Sequence, residues 1–173
     1  DLVSGHTIIG IRAYTGKQTG ELMGVPASGK AIGVYGAEVA EIGADGKVKA
    51  QRGYFDIPTL MGQIGASKNP HRAALAKSDT PRVLAVASGS ETETKNLAAV
   101  RAAVAAWNAG DFKTLKGAFA KGWLHRDIQM AADQKGTKAD AALKGYKTGF
   151  HDGKLEEINA FAGGDYVVIE PRF

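Results

Sequence analysis

The stretch from Thr15 to Gly65, TGKQTGELMGVPASGKAIGVYGAEVAEIGADGKVKAQRGYFDIPTLMGQIG, decides the fold. Short apolar segments alternate there with glycine-rich punctuation, which is the pattern of strands joined by turns. Ala31 to Ile42 reads as one strand and Val48 to Phe55 as the next. Between them, Ala44-Asp45-Gly46-Lys47 is a hairpin turn, because Asp-Gly supplies a residue that tolerates positive φ. Thr15 to Lys30 is too polar and glycine-rich for a strand and reads as a long loop. Pro58 to Gly65 reads as a short closing helix with proline in its first turn. Upstream, His6 to Tyr14 (HTIIGIRAY) is a further strand, with Ile9, Ile11 and Ala13 on one face and Ile8, Gly10 and Arg12 on the other.

Downstream the character changes. From Ala66 to Lys95 the chain is rich in Ser, Thr, Pro and charge, a linker composition. Within it, Ala73 to Ala76 has the residues for a helical turn, and Val83 to Val86 those for a short strand or a surface tether. From Thr94 the apolar period becomes 3.6: Leu97, Val100, Val104 and Trp107 share one face of an alanine-rich helix ending at Asn108-Ala109-Gly110. Asp111 caps a second helix carrying Phe112, Leu115, Ala118 and Phe119. A third helix over Thr137–His151 buries part of Ala141, Leu143, Tyr146 and Phe150, and Gly145 and Gly149 weaken it. Leu155 to Phe161, a Gly163-Gly164-Asp165 turn, and a strand from Tyr166 to Glu170 stopped by Pro171 complete the sequence.

Composition narrows the class. At 173 residues there is room for one well-buried core and a linker. No apolar run approaches the roughly 18 residues of a membrane span, so a soluble protein is expected, cytoplasmic or exported. The net charge of +4 and pI near 9.2 come from scattered lysines rather than a basic stripe, so no nucleic-acid partner is expected. Cysteine is absent, which rules out disulfides, thiolate nucleophiles and thiolate-bound zinc. Four histidines without His-x-x-x-His spacing point to no metal. The glycine-rich loop does not lead from strand into helix as a phosphate cradle would, and no cofactor is expected.

The order of the elements is informative: strands come first and helices second. The first segment (1–66) has an apolar sheet face and no helices to cover it, whereas the last (95–173) has helices and finishes on a strand with nothing after it to pair with. Residues 67–94 link them. Joining tail to head yields helix, helix, helix, strand, strand, hairpin, closing helix.

That joined order resembles the NTF2-like fold, and two stretches resemble its SnoaL-like polyketide-cyclase branch. In the first half, Thr15–Gly65 is similar to the family's T-G-x-x-x-G-E-L-x-G-x-P-x-(S/T)-G-K loop and its D-G-K-I-x-x-x-x-x-Y-x-D-x-x-x-L-x-x-Q-L-G close. In the second, Ala98–His125 (AAVRAAVAAWNAGDFKTLKGAFAKGWLH) is similar to the family's opening, an aromatic-Asn and Gly-Asp ending the first helix and a His following the second. The resemblance implies an α+β cone, a curved antiparallel sheet covered by three helices. Its halves stand here in swapped order, as in a tandem repeat cut between repeats. Closure within one chain, as in a permutant, or between chains, as in a swapped homodimer or oligomer, are both open.

The resemblance also implies a chemistry, an aldol ring closure with an Asp as acid and base and a His nearby; a base for such proton abstraction needs a dry pocket that raises its pKa. Carried over, the Asp position falls on Gly53 and the His position on about Val39, so both groups are missing. Replacements are Asp56, which is also placed to cap the closing helix; His125, which is also a candidate for a buried hydrogen-bonded histidine; and Glu170, which faces either pocket or solvent. Glu38 and Glu41 face opposite sides of one strand, so at most one points inward. Tyr35, Val39, Gln51, Gly53, Tyr54, Phe55, Trp107, Trp123 and Tyr146 are the candidate lining of a pocket for a small hydrophobic or polycyclic molecule. Three functions follow: a binding domain that has lost the catalytic pair, a cyclase or isomerase with a relocated acid/base, and a structural assembly domain.

Overall fold

The computed structural model describes residues 1–79 and 82–173; the expected linker therefore includes two residues, Thr80 and Pro81, that lie outside the described ones. The chain is α+β. In order, its elements are β1 (Leu2–Ser4), β2 (Thr7–Lys17), β3 (Ala31–Ile42), β4 (Val48–Phe55), α1 (Ile57–Ile64), β5 (Ala85–Val86), α2 (Glu91–Ala109), α3 (Phe112–Gly117), β6 (Leu124–His125), β7 (Gln134–Lys135), α4 (Thr137–Gly149), β8 (Glu156–Gly163) and β9 (Tyr166–Arg172). They form two compact units. The first comprises Asp1, His6–Val83 and Arg126–Asp133, and the second Leu2–Gly5, Leu84–His125 and Gln134–Phe173. Residues 2–5, read in sequence with the first segment, thus group with the second, and residues 126–133 do the reverse.

The first unit is built on the antiparallel meander β2-β3-β4. Its register places Ile9 opposite Val39 and Ile11 opposite Ala37, and on the next strand Ala37 opposite Tyr54. β2 runs on to Lys17, farther than Tyr14, because β3 starts at Ala31 and offers partners as far as Lys17. Polar Thr15 and Gly16 are strand residues here by pairing, not by propensity. The Asp45-Gly46 turn closes as read: Gly46 has φ 75°, the Gly43 N–H donates to the Lys47 carbonyl at 2.8 Å, and Asp45 accepts from the Lys47 N–H at 3.1 Å.

Beyond β4, Asp56 caps α1, its carboxylate accepting the Thr59 N–H at 3.0 Å. Gln63 ties that helix to the sheet, accepting from the Gly33 N–H at 2.9 Å and donating to the Gly33 carbonyl at 3.0 Å and the Arg72 carbonyl at 3.1 Å. Residues 73–76 form no helical turn. The Leu75 N–H is instead bonded to the Gly33 carbonyl, and a Cβ on Gly33 would collide with the Leu75 backbone. The following coil also holds Arg72, which with Arg126 grips Asp133 at 2.7 Å and 2.8 Å. Hydrogen bonds from Arg126 and then Arg72 hold the Asp133 carboxyl down at about 2.

The 18–30 loop has its own organiser. Buried Gln18 donates to the carbonyls of Gly20, Val25 and Pro26 and accepts from the Ser28 N–H at 2.9 Å.

In the second unit, β5 pairs in parallel with β1, Leu2 opposite Ala85. Helix α2 starts at Glu91 rather than Thr94 because Ser90 and Glu93 form a capping box. It ends as read, on Gly110 in the left-handed conformation with φ 70°. Asp111 then caps α3 by accepting from the Thr114 N–H and hydroxyl, bonds that lower its pKa. Asn108 clamps the chain leading into β8: its side chain donates to the Leu155 carbonyl at 2.9 Å and accepts the Leu155 N–H at 2.8 Å. Strand β9 continues through Pro171 to Arg172. The ladder tolerates that proline because the register with β8 slips between Glu157 and Asn159. Among the described residues, no helix is long and apolar enough to cross a membrane.

Candidate functional site

The second unit contains a cavity of about 630 Å³, within the range of roughly 300–1,000 Å³ typical of small-molecule sites. Helical periodicity builds it. Residues three and four apart on α2 share a face, and Ala99, Val100, Ala103, Val104 and Trp107 form one wall. Leu115, Ala118 and Phe119 from α3 and its end form the second, and Leu143, Tyr146 and Phe150 from α4 the third. Leu155 and Phe173 complete the lining. The alanines of α2 are what leave room, since a larger side chain at Ala103 would enter the space.

Polar atoms are few around it. The Trp107 indole N–H is spent on the Leu143 carbonyl at 3.2 Å, which leaves the Tyr146 hydroxyl as the other side-chain polar group of the lining. Aromatic rings meet at one end: Phe173 lies 6.0 Å from Trp107 and 5.3 Å, edge on, from Phe150. No carboxylate, imidazole or ammonium is part of the wall. Such a surface recognises apolar shape.

Of the expected pocket residues, Trp107 and Tyr146 line this cavity. Trp123 belongs to the same unit without lining it; its ring stacks on Phe119 at 4.0 Å and its N–H donates to Asp140 at 3.0 Å. His125, on β6, packs its ring against Trp123 at 5.6 Å, and its Nδ1 is buried without a hydrogen-bond partner among the described residues. Glu170, on β9, is buried and accepts from the Asn159 amide at 2.6 Å. Neither lines the cavity.

Tyr35, Val39, Gln51, Gly53, Tyr54, Phe55 and Asp56 all belong to the first unit. Asp56 is 2% exposed; one carboxylate oxygen caps α1 and the other has no partner among the described residues. The capping reading of this residue is the one its geometry displays. Val39 is buried, whereas Gln51 and Gly53 are exposed, as are Tyr54 and Phe55. Tyr35 carries the Arg126 guanidinium over its ring at 5.4 Å.

The register separates Gly53 from Val39. Gly53 lies opposite Glu38, and Val39 lies opposite Arg52, so Gly53 and Val39 project from opposite faces of the sheet. The residue beside Gly53 is therefore Glu38. Its carboxylate sits 3.7 Å from the Arg12 Nε, and Arg12 also pairs with Asp1 at 2.9 Å. Burial, and then the Glu38 carboxylate, push the Tyr14 phenol above its ordinary value. Glycines floor this patch: a Cβ at Gly10 would meet the Arg12 guanidinium, and one at Gly36 would meet the Phe55 and Tyr14 rings. Arg12 thus lies between the carboxylates of Asp1 and Glu38.

Sequence reading passed over Leu155 and Phe173 as lining residues. Phe173 has no periodic partner to mark its face, and Leu155 is positioned by Asn108, forty-seven residues away. Leu143 and Phe150 were legible as the apolar stripe of the third helix, although a stripe does not distinguish a filled core from a hollow one. Among the described residues, no three acidic or histidine side chains gather closely enough to hold a metal ion. No family model matches the chain, and neither a curated protein nor a solved structure matches it.

Proposed function

We propose that this chain is a small-molecule binding domain whose second unit takes up an apolar ligand without transforming it. The observation that carries the reading is the wall of the 630 Å³ cavity, apolar and aromatic throughout but for one tyrosine hydroxyl. An acid/base enzyme of the expected kind would need a carboxylate or imidazole aimed into that space, and Asp56, His125 and Glu170 all lie outside its wall. The test is to fill the space. Ala103→Trp introduces an indole into the cavity, and titration with a solvatochromic apolar dye should show affinity at least about ten-fold weaker than wild type, with circular dichroism unchanged. Undiminished dye binding by a folded Ala103→Trp protein would place the ligand elsewhere and defeat the proposal.

The sequence motifs add a proposal about ancestry and assembly. The loop and hairpin of Thr15–Gly65 and the helical opening of Ala98–His125 support a SnoaL-like origin in the NTF2-like superfamily, with its halves in swapped order and its catalytic Asp and His replaced. Association of copies, as a homodimer or swapped oligomer, rests on a separate observation. Ile11, 70% exposed, and Tyr54, 44% exposed, share one face of the β2-β3-β4 sheet on either side of Ala37, and that face is where a second copy would pack. Light scattering should return a mass of two chains that falls on dilution; a single-chain mass at every concentration excludes the oligomer.

A further inference from the structure

Each unit draws residues from both sides of the coil that joins the two halves of the sequence: residues 2–5 are part of the second unit, and residues 126–133 are part of the first. The coil itself, at 76–79 and 82–84, is exposed and belongs to no helix or strand. Leu2 anchors one crossing. It is buried, it stands opposite Ala85 with Val3 opposite Val86, and the Ala87 N–H donates to the Val3 carbonyl at 2.8 Å. Gly163 of β8 leaves room for it, since a Cβ there would come within 3.3 Å of both Leu2 and Ala85. Arg72 anchors the other crossing, donating to Asp133 at 2.7 Å and to the Asp127 carbonyl at 2.8 Å. Arg126 adds its own bond to Asp133 at 2.8 Å and lies over the Tyr35 ring.

We propose that the exposed coil is a processing site for a protease of trypsin-like specificity, and that the cut chain stays assembled as a complex of two fragments. Lys77 and Arg82 supply the basic side chains, and exposed coil without regular structure is where proteases nick a fold. Hydrolysis breaks the Lys77–Ser78 or the Arg82–Val83 amide. One water is consumed; its oxygen ends in the new carboxylate of Lys77 or Arg82, and the new amino group forms on Ser78 or Val83. Fragments joined at a single point would part on dilution, because association costs about 4–15 kcal/mol of lost freedom. Joined at two points, each crossing holds the other at an effective concentration on the order of millimolar, so the pair outlasts either alone. Every lining residue of the apolar cavity, from Ala99 to Phe173, stays on the second fragment, so the cut leaves that site in one piece.

The experiment is brief trypsin digestion of the full chain, with the first cuts located by mass spectrometry and the product followed by light scattering. The first cuts should fall after Lys77 or Arg82. The product, two bands on a denaturing gel, should match the mass of the uncut protein at each dilution. Asp133→Ala releases both arginines and Leu2→Ala trims the other crossing; each should leave the circular dichroism of the uncut protein unchanged and weaken the cut complex at least about ten-fold. First cuts elsewhere in the chain overturn the proposal, as do two separate lighter species from cut wild type. A cut complex whose dissociation neither substitution changes also overturns it, because other contacts would then hold the fragments.

Discussion

Replacing Trp107 by alanine should cost the second unit about 3–5 kcal/mol, the range for truncating a buried aromatic residue. Trp107 is 6% exposed. It sits at the centre of a cluster with Ala106 and Leu115, against which Phe112, Phe119, Leu143 and Tyr146 pack. Its indole N–H bonds the Leu143 carbonyl at 3.2 Å, and Lys147 places its ammonium 5.1 Å from the ring centre. The side chain therefore ties α2 to α4 by packing, by a hydrogen bond and by a cation. Domain stabilities are on the order of 5–15 kcal/mol, so this single truncation consumes a large share of the total. Urea denaturation should show the lowered midpoint. Trp107→Phe, which keeps a ring and loses the N–H bond, should recover all but about 1–2 kcal/mol. A Trp107→Ala protein within about 1 kcal/mol of wild type would mean that α2 and α4 are held together by something other than this residue.

Glu93 should control the acid stability of the same unit. Its buried carboxylate accepts the N–H groups of Ser88, Gly89 and Ser90, the Ser88 hydroxyl and, from the β8-β9 turn, the Gly164 N–H at 2.9 Å. The Gly164 bond is the foremost of the influences that bring it from 4.5 to about 2. Because the folded pKa lies below the unfolded one, the stabilisation is fully present above about 4.5 and is lost as pH falls through about 2. Glu93→Gln keeps the shape and presents an NH₂ group to donors that need an acceptor. The variant should melt about 5 °C or more below wild type at pH 7, and the gap should narrow steadily as pH is lowered from 5 toward 2. Asp111, Glu156 and Glu157 also have lowered pKa values, and comparison with the variant cancels their common slope. A gap that stays constant with pH would show that Glu93 acts through shape rather than charge.

The elements most legible in the sequence are those specified by neighbours along the chain. β3 and β4 occupy the expected residues because alternation and an Asp-Gly turn set both their ends. The 3.6-residue stripe of α2 and the Gly110 stop are equally local. The start of α2 is local as well, since Ser90-Glu91-Thr92-Glu93 is a capping box written in the sequence, although its serine- and threonine-rich composition also suits a linker.

Other features had no local signature. Leu2 and Ala85 pair as parallel strands across more than eighty residues, and neither segment is long enough to announce itself. Residues 73–76 had helix-forming composition, yet the Gly33 carbonyl claims the Leu75 N–H. Gly53 and Val39 lie on opposite faces because side chains alternate with a period of two and Gly53 is opposite Glu38, the neighbour of Val39. Amino-acid order alone thus determined the α+β class, the hairpin, the helix caps and the apolar stripes, because turn chemistry and periodicity act over a few residues. Only tertiary structure decided that the stripes of α2, α3 and α4 line a hollow and that the candidate acids lie outside it. Whether facing side chains meet or leave a gap depends on how far apart the helices stand, and that distance is written in no single one of them.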